Sequence, residues 1–151
     1  MKRSKRLGTV LQIAEQRKRE AEQRLGMAQQ TLVAERDKLV QLEAYLRDYQ
    51  QSLISQGQKG VTIEVLCRMQ SFKDRLLVAI DQQKQQILVA EFNLEQVKRT
   101  WQACHGRHRA VGALQERIVD QEQRAEDKQL QKLVDEMAAA RRHYPAPGSQ
   151  E

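Results

Sequence analysis

The sequence predicts an all-α fold, in which two long helices form an antiparallel coiled-coil hairpin whose second arm is the longer. Three observations predict it: an apolar stripe of 3.5-residue period over the first fifty residues, a second such stripe after residue 62, and two glycines between them. Aromatic residues make up 4% of the chain and charged residues 30%, with Gln, Ala, Leu, Glu, Arg and Lys dominant, as suits long helices rather than a globular core. Disorder is the rival reading of so polar a composition, and the sustained repeat excludes it.

The first helix is expected over about residues 4–55. Alternating steps of four and three from Leu7 reach Leu11, Ala14, Lys18, Ala21, Leu25, Ala28, Leu32, Glu35, Leu39, Leu42, Leu46, Tyr49 and Leu53. Only Lys18 and Glu35 interrupt the apolar series, and its period is that of a left-handed coiled coil. The stripe ends at Ser55-Gln56-Gly57-Gln58-Lys59-Gly60, where the glycines supply the positive φ of a reversal, so a turn is expected over residues 56–61. Thr62 then suits the N-cap of a second helix over about residues 62–142, with Glu64 in its first turn.

The second stripe runs Leu66, Met69, Lys73, Leu76, Ile80, Gln83, Ile87, Ala90, Leu94, Val97, Trp101, Cys104, His108, Val111, Gln115 and Ile118. Beyond Ile118 it returns in a shifted register as Leu130, Leu133, Met137 and Ala140, as after a stutter. A short connection makes the arms antiparallel neighbours within one hairpin domain, residues 1–142. A turn centred near residue 58 or 59 sets Tyr45 near Phe72 and Leu7 near Ala110. Residues from about 118 to 142 then have no partner in their own chain, and an apolar stripe there implies a socket or a second molecule. The tail, residues 143–151, holds Pro145 and Pro147 and is expected to be disordered.

The net charge is +6, and residues 1–25 supply +5 of it through eight Lys or Arg against three Glu. Arg17, Lys18, Arg19 and Arg24 belong to this set, and the pairing rule brings His105, Arg107, His108 and Arg109 opposite it. Such a surface suits an acidic protein, a nucleic acid or an anionic membrane. No aromatic residues interleave with the charges and no nucleic-acid module is present, so base readout has no support. The longest strongly apolar run, residues 76–80, is too short to span a bilayer, and no secretory signal precedes the first stripe. The two cysteines, Cys67 and Cys104, lie roughly 55 Å apart if one helix carries both, so they cannot pair within the chain, and a reducing cytoplasm is expected. Cys104-His105-x-x-His108 has metal-binding residue types but no second cluster. No phosphate loop or catalytic signature occurs, and the paired carboxylates Glu126-Asp127 and Asp135-Glu136 lie on an exposed helix. No catalytic residue, cofactor or metal is therefore expected.

The hairpin end carries the most informative cluster. Tyr45, Phe72 and Ala79 fall at g positions, which share one edge of an antiparallel pair, and Leu42, Tyr49 and Leu76 flank them. Aromatic residues off the main seam have the character of a binding hot spot, or of a seam that widens where helices splay.

Taken together, the basic start, Tyr45-x-x-x-Tyr49, Gly60-Val61-Thr62, Phe72-x-x-x-Leu76-x-x-Ala79, Trp101 and Leu114-Gln115-Glu116-Arg117 resemble the FliJ family of flagellar type III export proteins. The resemblance covers the chain from about Leu7 to residue 142, and the related O-type stalk proteins of virulence injectisomes share the architecture. It implies a non-catalytic, monomeric stalk that docks in the hexameric flagellar export ATPase, promotes its assembly and ATP hydrolysis, contacts the cytoplasmic part of the export gate membrane protein, and escorts export chaperones. It also implies a cytoplasmic protein, peripheral at the cytoplasmic face of the inner membrane and not inserted in it. The gate-binding residues implied are Leu42, Tyr45, Tyr49, Phe72, Leu76 and Ala79. Two positions depart from the family pattern, which often has Gln at Lys38 and His at Gln83, and no role is carried over to them. The ATPase-facing end implied is the open one, so Arg17, Lys18, Arg19 and Arg24, with Leu130, Leu133 and Met137 on the overhang, are the candidate docking residues. The alternatives are an injectisome stalk, a basic coiled coil binding nucleic acid or anionic membrane, and a rod that homo-oligomerises through its overhang.

Overall fold

The computed structural model describes residues 2–143. Two helices account for them, α1 over Arg3–Gln58 and α2 over Ile63–His143, with no strand among the described residues. The fold is therefore all-α, and α2 is the longer arm. Of the tail expected over residues 143–151, His143 closes α2 and the rest lies outside the described residues. The chain divides into two compact units, Arg17–Cys104 and Met1–Gln16 with His105–Glu151.

The unit Arg17–Cys104 contains the reversal. Helix α1 continues through Gly57 to Gln58, three residues beyond its expected end, because a glycine costs a helix only about 1 kcal/mol and need not stop it. Among the described residues only Gly60 takes a positive φ, 76°, and it does so where the helix has just closed with Lys59 N–H donating to the Gln56 carbonyl. Thr62 caps α2: its Oγ1 accepts from Val65 N–H at 3.4 Å, and its carbonyl accepts from Leu66 N–H. Glu64 lies in the first turn of α2 and Arg141, Arg142 and His143 in the last, each favourable to the helix dipole.

In this unit every seam position read from the α1 repeat, from Lys18 to Leu53, is buried or half-buried. On α2 the same holds from Met69 to Cys104, whereas Leu66 is exposed and Val65 turns inward in its place. Leu32, Ile87 and Ala90 form a buried cluster, with Leu39 and Leu94 packed against it. Removing Leu32 and Ile87 from water is worth about 1.5–3 kcal/mol each, and Ala90 and the half-buried leucines add less, which is what holds two otherwise polar helices together. Glu35 and Gln83 supply a polar layer in the seam: the Gln83 amide donates both to the Glu35 carboxylate and to the Glu35 carbonyl.

The unit formed by the chain's first turns and the C-terminal part of α2 buries Ala14 and Ile118 and half-buries Leu7, Leu11, Val111 and Gln115. Here a Cβ added at Gly112 would lie 3.8 Å from Leu11 Cδ1, and one at Gly8 would lie 3.2 Å from Gln115 Nε2. Gly8 and Leu11 thus meet residues about six places further along α2 than a turn at 58 or 59 provides. In the unit that holds the turn the offset is absent: Tyr45 meets Phe72 and Glu35 meets Gln83, pairs whose numbers sum to 117 or 118 as a turn at 58 or 59 requires. At the start of α1 no acidic residue is available to cap the helix. Glu122 does it from the other helix, accepting from Ser4 N–H at 3.2 Å and from Ser4 Oγ at 2.6 Å. Lys2 Nζ donates to Glu126 at 2.6 Å beside it. The segment without a partner in its own chain therefore begins after Glu126 and not at residue 118. At the basic start, Lys2 and Ser4 thus meet acids of α2.

Candidate functional site

In the unit that holds the turn, the aromatic residues converge as the g positions require. Phe72 meets Tyr45 edge-on at a centroid distance of 6.2 Å, and it meets Tyr49 at 4.9 Å with the rings tilted by 53°. Tyr49 is fixed further by its hydroxyl, which donates to the Met69 carbonyl at 3.1 Å and so bridges the helices. Tyr45 remains 51% exposed and Phe72 39%. Leu42, Tyr49 and Ala79 are half-buried, and Leu76 is buried in the seam. The six residues thus divide by role. Leu76 and Tyr49 anchor the packing, while Tyr45 and Phe72 present ring surface to solvent, so the cluster is both a widened seam and an accessible aromatic face.

Lys38 and Gln83, the positions left without a role, prove to be joined. Both donate to Glu35, and these hydrogen bonds hold the Glu35 carboxyl below its ordinary value, that from Gln83 first and that from Lys38 after it. Of the basic residues in this unit, Arg17, Arg19 and Arg24 are exposed, and Lys18 is half-buried with its ammonium 4.0 Å from Glu22 one turn on. Arg24 borders a shallow recess with Ala21, Gln96, Val97 and Thr100.

The other unit carries the overhang. Every residue from 123 to 143 is exposed, and Leu130, Leu133, Val134 and Met137 recur at the spacing of one helix face. Gln131 braces Asp135 one turn on, within the helix, and among the described residues none covers these side chains. Arg17, Lys18, Arg19 and Arg24 belong to one unit and Leu130, Leu133 and Met137 to the other.

A comparison with protein families matches residues 3–145 to the Flagellar FliJ protein family. The chain belongs to the FliJ family. Comparisons with curated proteins and with solved structures returned no match. FliJ-family membership makes the chain a component of the flagellar protein export apparatus, a non-catalytic one by family. The match runs through both helices, so the aromatic face, the basic turns and the exposed segment of α2 all fall within it. Among the described residues no helix is long and apolar enough to cross a membrane, and no group of three His, Cys, Asp or Glu is placed to hold a metal ion.

Sequence reasoning missed two features of this FliJ-family chain. The Ser4–Glu122 clasp joins residues 118 positions apart, and no local signal marks a cap supplied from so far. The inward turn of Val65 beside Leu66 was legible in principle, since with Thr62 as N-cap either residue falls within the first apolar turn.

Proposed function

We propose that this chain is the stalk of the flagellar export ATPase: it docks in the hexameric ring, promotes assembly and ATP hydrolysis, and contacts the export gate through its aromatic face. Escort of export chaperones and a cytoplasmic position beside the inner membrane belong to the same reading. The observation that carries it is the unpartnered apolar face of α2, Leu130, Leu133 and Met137, on a FliJ-family chain. A helix that keeps an apolar stripe for several turns with nothing to cover it is built to enter a socket. The basic face at Arg17, Arg19 and Arg24 would meet acidic ring surfaces, raising the rate of encounter more than the final affinity. For the gate, Tyr45 and Phe72 offer ring surface that their mutual contact and that of Phe72 with Tyr49 already hold in place, so little side-chain order is lost on binding.

The test is phosphate release by the cognate export ATPase, titrated with the full-length chain at physiological salt. Stimulation should saturate near one chain per hexamer. It should fail in a Leu133→Asp, Met137→Asp variant, whose substitutions touch no packed residue and leave helix content unchanged. An ATPase that forms hexamers yet is not stimulated by the wild-type chain would remove the stalk role.

A further inference from the structure

The seam accounts for one face of α2, but the face turned away from α1 is also patterned. Within the unit Arg17–Cys104, Val78, Gln82, Gln85, Val89, Phe92 and Gln96 follow one another at steps of four and three residues, and all six are exposed. Phe92 is 68% exposed, more than any other aromatic or aliphatic side chain on the line. In a chain with 30% charged residues, this line carries no charge between Arg75 and Arg99. The outward line of α1 in the same unit is interrupted by Glu20, Asp37 and Asp48, so a solvated helix back does not by itself produce the pattern. A 3.5-residue repeat of apolar and amide side chains is the signature of a coiled-coil seam, and here it is a second one, on the back of the first.

The rows beside the line say what would fit it. One edge is Asp74, Asp81, Leu88 and Glu95, seven residues apart; the other is Ala79, Gln86, Asn93 and Thr100, without charge. Asp74 accepts from Gln70, and Glu95 pairs with Arg99 at the end of the line, which leaves Asp81 as the exposed acid in mid-edge. A second copy docked antiparallel would set acidic edge against acidic edge, with Asp81 near Glu95 of its twin, a repulsive arrangement. A parallel copy would set the acidic edge against the neutral one and gain nothing. The edge is complemented by a different helix, one with Lys or Arg along the matching row. The line spans roughly 28 Å of helix, about five turns, which is enough for one added helix and well short of a whole domain face.

We infer that the outward face of α2 from Val78 to Gln96 is a second coiled-coil seam that accepts one amphipathic α-helix with a basic edge, supplied by another protein. Val89 and Phe92 are its apolar anchors, Gln82, Gln85 and Gln96 its polar layers, and Asp81 and Glu95 set the partner's charge and direction. The amides keep the face wettable while it is empty, and they can pair with polar seam residues of the partner when it is filled. The surface is separate from the Tyr45–Phe72 face and shares only Ala79, on its neutral edge.

Two designed 28-residue helical peptides test the inference, identical in an apolar and Gln seam and differing only in Lys or Glu along one edge. Their binding to the full-length chain is read by fluorescence anisotropy. The Lys-edged peptide should bind at least tenfold more tightly than the Glu-edged one. Phe92→Glu should weaken it at least tenfold, with circular dichroism and the thermal melt unchanged. Equal binding of the two peptides, no saturable binding of the Lys-edged one, or indifference to Phe92→Glu would overturn the proposal. So would a concentration-dependent dimer in sedimentation that Phe92→Glu abolishes, because a second copy would then own the face.

Discussion

Replacing Tyr45 with Ala separates the two things an aromatic face near a turn can do. Tyr45 is half-exposed and touches Phe72 edge-on, a contact worth about 0.5–1.5 kcal/mol beyond area burial. Its loss should lower hairpin stability by about 1 kcal/mol. Phe72 is more covered and holds two rings, so Phe72→Ala should cost about 2 kcal/mol, below the 3–5 kcal/mol of a fully buried Phe because two-fifths of its surface is already in water. If the exposed ring faces are what the export gate grips, each substitution also removes a hot spot of about 2 kcal/mol or more, roughly 30-fold in Kd. Tyr45→Ala is therefore the diagnostic change, since its binding loss should exceed its stability loss. Tyr49→Phe is the complement: it removes the bond to the Met69 carbonyl, about 1 kcal/mol of stability, and keeps the ring. Calorimetric titration against the cytoplasmic part of the gate protein, beside a thermal melt of each variant, measures both quantities. Gate affinity within twofold of wild type in Tyr45→Ala would refute the reasoning and leave the cluster as packing alone.

Other outcomes follow from the same geometry. Gly60→Ala should destabilise the hairpin by about 1 kcal/mol because its φ of 76° strains any side chain, while Gly57→Ala and Gly26→Ala, helical and with open space at the Cβ, should each stabilise by about 0.5–1 kcal/mol in chemical denaturation. The Glu122 carboxyl is held below its ordinary value chiefly by the Ser4 hydroxyl, and Glu35 by Gln83. Carboxylates depressed in the folded state contribute stability above their unfolded value of about 4.5 and lose it as pH falls below that, so the melting temperature should drop on the acid side of 4.5, and Glu122→Gln should flatten its share of the drop. Glu35→Leu with Gln83→Leu should raise the melting temperature yet loosen the register, seen as mixed products when engineered cysteines across the seam are oxidised.

The repeat was legible because burial in a two-helix seam is a one-dimensional problem. A side chain's fate depends on its position in the heptad, and Leu32, Ile87 and Ala90 meet where the count puts them. The turn was less legible. Gly57 and Gly60 are equivalent as residue types, and the choice between them rests on which one the seam forces to reverse the chain. The register was less legible still: beside the turn Tyr45 meets Phe72 where the count puts it, whereas in the other unit Leu11 lies against Gly112 and Lys2 reaches Glu126, and no residue of the stripe marks the change. Of the candidate site, the meeting of Tyr45 and Phe72 followed from their g positions, and Tyr49 joins them from the seam. The burial of Leu76 also follows from the count, since it is a seam residue, and it limits how much of that side chain a partner can touch.

The thinness of the seam bears on how this FliJ-family chain can work. No described side chain is fully buried, and Ala14, Ala21, Ala28 and Ala90 supply four of the nine buried core residues. Stability is thus spread in small increments along the helices, with no central layer whose loss would unfold them. Such a pair keeps little apolar surface for itself: Leu130, Leu133 and Met137, the rings of Tyr45 and Phe72, and the outward line through Phe92 are all left to solvent. A globular domain of this length would fold such side chains inward; a two-helix hairpin cannot, because each helix has only one face toward its neighbour. The outward apolar residues contribute little to the hairpin's own stability, so their patterning needs partners to explain it. Partner binding would in turn stabilise a marginal seam by mass action, and the protein should melt at a higher temperature in its complexes than alone.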